Sequence, residues 1–144
     1  MMGRKIQLRI CAVLLILNLA FIWGNSLMPA EASQAFSDWM MSVLGSVPVE
    51  QAPEAGSGVL RKIAHFAEFT TLGFLLAWLF ALLRRSIWIA LPFGIAAACL
   101  DEVIQMFVPG RGPGILDVAI DTCGVLTGIL LLRIGYKLIT RRQL

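Results

Sequence analysis

The chain has 144 residues, one domain's worth, and 58% of them are apolar before its 13 glycines are counted; soluble proteins reach roughly 45–50% with glycine included. Charged residues make up 15%, the formal charge is +3 and the mean hydropathy is +0.82. That leaves too little polar surface for a soluble enzyme, a disordered tail or a nucleic-acid binder.

Four apolar runs are each long enough to cross a bilayer, which takes about 20 residues. The first runs from about Leu8 to Leu27 and the second from about Ile63 to Leu83. The third covers about Ile87 to Val108 and the fourth about Ile115 to Tyr136. Unpaired backbone is not tolerated in lipid, so each run is expected to be a helix. The expected fold is an all-α membrane protein: a four-helix transmembrane bundle occupying residues 1–144 as one domain. Arg84 to Ser86 leave room only for a tight hairpin between spans two and three. Pro109 to Gly114 (PGRGPG) is a strong turn signal between spans three and four.

The loop after span one is not featureless. Phe36, Trp39, Met40, Val43, Leu44 and Val47 recur at helical spacing and predict a short amphipathic helix, with Ser33 or Ser37 as its cap. Such a helix lies on the membrane or over the spans. Gln51 to Gly58 (QAPEAGSG) reads as a flexible linker. The three cysteines, Cys11, Cys99 and Cys123, sit inside apolar runs at spacings that match no metal or redox motif, and read as small hydrophobes.

Arg4, Lys5, Arg9, Arg84, Arg85, Arg133, Lys137, Arg141 and Arg142 fall on one side of the four spans. These are nine of the twelve basic residues, and the positive-inside rule makes that side cytoplasmic. Both termini are then expected in the cytoplasm. A basic start, an apolar run and Ala30-Glu31-Ala32 also fit a cleaved signal peptide, although this apolar run is longer than most. Cleavage would leave three spans with the same sidedness.

All nine acids fall on the opposite, outer side. A charge inside an apolar span costs several kcal/mol unless it has a partner, water or a function. His65 and Glu68 share a face near the start of span two. Asp101 and Gln105 share a face at the end of span three, with Glu102 turned about 100° away. Asp117 and Asp121 open span four on one face, which Gly124 and Gly128 continue. Those glycines form G-x-x-x-G, a close-packing motif of membrane helices, so the two aspartates are expected to point inward with them. Asn18 and Asn25 of span one can line the same interior. With Arg111 from the turn, the candidate ligand-binding or functional cluster is His65, Glu68, Asp101, Glu102, Gln105, Arg111, Asp117 and Asp121. The architectural alternative is a polar network that fixes helix register, with Asp117 favouring the helix dipole.

The pattern Lys62-x-x-His65-x-x-Glu68-Phe69-x-x-Leu72-Gly73, then Asp101-Glu102-x-x-Gln105-x-Phe107-x-Pro109-Gly110-Arg111, then Asp117-Val118 and Gly124-x-x-x-Gly128, closely resembles the VanZ-like family of bacterial membrane proteins. Trp23-Gly24-Asn25-Ser26-Leu27 is similar to that family as well. The likeness runs from about residue 20 to 130. The family pattern has Ser where this chain has Gly114, and Asn where it has Asp121. The resemblance implies an integral protein of the bacterial cell envelope, in a family whose founding member is linked to low-level resistance to teicoplanin, a lipid-tailed glycopeptide.

Three functions fit these residues, and the sequence names no catalytic residue. The first is binding of a lipid-linked cell-wall intermediate or an antibiotic at the outer leaflet, with Arg111 meeting a phosphate or carboxylate. The second is a small enzyme acting on a lipid headgroup, with His65 as general acid or base. One histidine with several carboxylates can also hold a divalent metal, although His-x-x-Glu reverses the Glu-x-x-His of di-metal bundles. The third, a proton-coupled transporter, would use the acids and His65 as a relay. The expected partners are the lipid bilayer and such a ligand, not nucleic acid.

Overall fold

Every long apolar run folds as a helix, as the absence of water around a bilayer-embedded backbone requires. The computed structural model describes residues 3–43, 54–112 and 114–141. Its helices are α1 (Arg4–Ser26), α2 (Ala30–Val43), α3 (Glu54–Leu82), α4 (Ala90–Gln105) and α5 (Ile115–Arg141). No strand is present among the described residues. Among the described residues, four stretches are long and apolar enough to cross a membrane: Arg4–Ser26, Val59–Leu82, Ile87–Gln105 and Ile115–Ile139. They form the expected four-helix bundle, and the described part of α2 is the short extra helix.

The direction of each helix follows from its contacts. Arg4 of α1 donates from Nε to the Leu82 carbonyl at 2.7 Å, and Asn25 reaches Glu68. So α1 and α3 are antiparallel. Ser26 meets Asp101, so α4 runs with α1. Gly124 and Gly128 pack on Phe66, Thr70 and Gly73, so α5 runs with α3. The bundle therefore has a basic end, with Arg4, Arg84, Arg133 and Lys137, and a polar end. Ser26, His65, Asp101 and Asp121 all lie at the polar end.

The α3–α5 seam is the tightest in the bundle. A Cβ on Gly128 would overlap the Thr70 carbonyl oxygen, and one on Gly73 would overlap the Val125 carbonyl oxygen. Neither position accepts a side chain without separating the helices, which is why small residues recur at membrane helix interfaces. Phe69, Leu72, Val125 and Ile129 are fully buried along this seam, and Ile22 and Cys11 close it from α1. Ile16 and Leu17 on the far side of α1 are exposed. A helix apolar on both faces suits a lipid surround.

Helix ends depart from the sequence reading in three places. α3 starts at Glu54, so Glu54 to Gly58 form its first turn rather than linker; Gln51 to Pro53 lie outside the described residues. The glycines and serine suggested a linker, but weak propensity yields to the rest of a long helix. α2 starts at Ala30, with the Pro29 carbonyl accepting the first helical bond from Ser33 at 3.0 Å. Ser33 and Ser37 therefore lie inside α2, past its N-cap position. Leu44 and Val47 lie outside the described residues. Span three opens with a 3-10 turn at Ile87–Ile89, and α4 proper ends at Gln105, so Met106 to Val108 belong to the connection.

The α3–α4 hairpin turns on Arg84, which has a positive φ of 58°. The Arg85 N–H reaches back to the Phe80 carbonyl at 2.8 Å. This closes the last turn of α3, as left-handed residues after a helix commonly do.

Candidate functional site

Among the described residues, six polar side chains are buried at the polar end: Ser26, His65, Asp101, Glu102, Gln105 and Asp121. Asp101 is at the centre and fully buried. Its Oδ1 accepts from Ser26 Oγ at 2.5 Å and its Oδ2 from Gln105 Nε2 at 2.7 Å. The Gln105 bond is the i, i+4 pair that the sequence places on one face of α4. Ser26 is held there because α1 ends beside α4.

His65 faces Asp101 from α3. Its Nδ1 stands 3.9 Å from Asp101 Oδ2 and 3.6 Å from Asp121 Oδ1. Neither approach is short enough for a hydrogen bond. The His65 ring is stacked on Phe69, one turn along, at 6.5 Å between centroids and 10° between planes. Asp121 is fully buried because it lies on the glycine face of α5, which the seam turns inward. His65 Nδ1 and both Asp121 carboxylate oxygens are buried with no hydrogen-bond partner. Unpartnered buried polar atoms cost roughly 1–3 kcal/mol each, more when charged.

The remaining candidate residues surround this centre. Glu68 accepts from Asn25 Nδ2 at 2.8 Å through Oε1, while its Oε2 is buried without a partner. Glu102, turned away from Asp101, accepts from the Gly114 N–H at 2.6 Å and so ties the connection to the end of α4. Asp117 is partly buried and lies 3.9 Å from Arg61. The eight candidate residues and Arg61 thus gather at one end of the bundle. Sequence reading placed Asn25 in the interior but left Ser26 and Arg61 out of the cluster. Adjacent Asn25 and Ser26 at the end of an apolar run were the available signal for Ser26. Asn18 Oδ1 is buried without a partner, away from these bonds.

A groove of about 540 Å³ opens beside this cluster, between α1, α2 and α3. Phe21, Met28, Phe36, Leu60 and Ala64 form its apolar wall, and Arg61, His65, Glu68 and Arg111 its polar end. That volume is within the range of small-molecule sites, roughly 300–1,000 Å³. Arg111 comes from the α4–α5 connection, with its Nε and Nη1 buried and unpartnered. Burial, and then the nearby Arg61 charge, push the Arg111 guanidinium below its ordinary value. An anion in the groove would relieve both effects.

The family model described as VanZ/LLP1 matches residues 10–136. No curated protein and no solved structure matches the chain.

Proposed function

The chain belongs to the VanZ/LLP1 family of membrane proteins, and from that premise we propose that it binds an amphiphilic anion in the groove between α1, α2 and α3. The ligand class is a lipid-linked cell-wall intermediate or an acyl-tailed glycopeptide such as teicoplanin, the antibiotic associated with this family. One observation carries this reading. Buried, unpartnered nitrogens of Arg111 stand at the polar end of a groove whose other wall is apolar. A guanidinium binds a phosphate or carboxylate through paired hydrogen bonds, and an acyl chain fits Phe21, Met28 and Phe36.

The proposed setting is the bacterial cell membrane, with the polar end on the outer face. Arg4, Lys5, Arg9, Arg84, Arg85, Arg133 and Lys137 at the other end support this orientation through the positive-inside rule. Both termini would then be cytoplasmic. The groove would open at the outer leaflet, where a cell-wall precursor or an external antibiotic is met. Binding of teicoplanin to the purified protein, with a glycopeptide lacking the acyl tail as control, tests the reading. Preference for the tailed molecule is expected; equal binding of both would count against the groove.

A second reading is a small enzyme acting on a lipid headgroup. It is favoured by His65, which lines the groove and also faces Asp101 and Asp121. A histidine so placed can exchange a proton with a bound headgroup.

A further inference from the structure

We propose that His65, Asp101 and Asp121 bind a divalent transition metal ion, of the zinc, manganese or ferrous class, inside the polar end of the bundle. This inference goes beyond the ligand reading and does not rest on it.

The three residues come from α3, α4 and α5. One ligand atom from each lies within 4.8 Å of the other two. Ligands about 2.0–2.2 Å from such an ion stand about 3.3–3.6 Å apart in tetrahedral geometry and about 2.8–3.1 Å apart in octahedral geometry. Of the two histidine–carboxylate distances, 3.6 Å already fits a tetrahedral site and 3.9 Å needs to close by a few tenths of an ångström, while the two carboxylates, within 4.8 Å, must approach further. Small rotations of the His65 ring and of the unbonded Asp121 carboxylate, whose terminal torsions are broad and soft, supply such movement while Asp101 stays held.

Three further observations point to an ion and not merely to a packed polar cluster. First, the donors are free: His65 Nδ1 and both Asp121 oxygens are buried and unpartnered, with His65 7% and Asp121 0% exposed. Second, the charges match: a divalent ion neutralises two ionised carboxylates, whereas one protonated histidine neutralises only one. Third, Asp101 is already oriented. Ser26 and Gln105 each donate to one of its oxygens, which leaves a lone pair on each for a metal. Hydrogen bonds of this kind to a ligating carboxylate are a regular feature of metal sites.

One nitrogen and two oxygen donors suit zinc, manganese or ferrous iron better than calcium, which takes more oxygens. Three protein ligands leave a coordination position open. His65 also lines the groove, so that position lies near whatever the groove holds.

The test is metal analysis of the full chain, purified in detergent without a histidine tag and incubated with zinc, manganese or ferrous ions before gel filtration. About one equivalent of one of these ions per chain is expected, with a higher melting temperature that EDTA reverses. Asp121→Asn and His65→Gln should each lose the ion and the EDTA effect. Ser26→Ala should keep all three ligands but bind about 10- to 100-fold more weakly, as loss of an orienting partner does. A wild-type chain that holds none of the three ions overturns the proposal. So does an ion that stays bound, with the same EDTA effect, in both ligand variants. If Asp121→Asn fails to fold, the wild-type measurement still decides. Teicoplanin binding that persists in EDTA would separate the two proposals, leaving the groove reading intact.

Discussion

His65 Nδ1 lies 3.6 Å from Asp121 Oδ1, although the two side chains belong to helices joined by neither sequence nor turn. Glycine brings them together. Gly124, one turn beyond Asp121, packs on the Phe66 carbonyl, next to His65 in sequence. The approach of α5 to α3 therefore sets the geometry of the polar cluster.

Gly128→Leu should accordingly disrupt the cluster from a distance. Its side chain would collide with the Thr70 backbone, and overpacking of this kind costs roughly 1–3 kcal/mol or more. A lower melting temperature and reduced membrane abundance are expected. Gly135→Leu, where a Cβ meets open space, should leave both unchanged.

Ser26→Ala should cost more than its size suggests. It removes a donor to a fully buried carboxylate, a loss of about 1.5–3 kcal/mol for a hydrogen bond to a charged group. Thermal melting in detergent measures it. An unchanged melting temperature would show that the Ser26–Asp101 bond contributes nothing net.

The four helices were legible in the sequence because lipid allows few alternatives to a helix, and the inward turn of Asp121 because it lies on the face of Gly124 and Gly128. The Asp101–Gln105 pair was legible from its spacing. Ser26 was not, since its partner is 75 positions away and only the docking of α1 on α4 joins them. Glu102 was placed in the cluster, but its bond to the Gly114 N–H depends on how the connection folds back. The first turn of α3 was hidden by glycine and serine, which local propensity assigns to linkers.

The proposed orientation predicts a clear labelling pattern. In a background without Cys11, Cys99 and Cys123, Gly112→Cys should react with an impermeant maleimide on intact cells. Arg141→Cys should react only after lysis. The reverse would put the polar end in the cytoplasm and remove the outer-leaflet ligand.

Glu68→Gln separates binding from folding. Its Oε1 position can still accept from Asn25, so abundance is expected to stay near normal. Replacing the carboxyl beside the groove with an amide should alter ligand binding, read as a changed Kd for teicoplanin. An unchanged Kd would exclude Glu68 from the site.

Arg111 gives the most direct test of the account. It comes from the connection after α4, so the bundle should need it least, and its unpartnered nitrogens are the proposed contact to the ligand. Teicoplanin binding to purified wild-type and Arg111→Gln protein, at matched melting temperature, is the measurement. A lost charged hydrogen bond is worth about 1.5–3 kcal/mol, so binding should weaken at least about tenfold. Equal affinity in the two proteins would contradict the proposal that Arg111 anchors an anion in the groove.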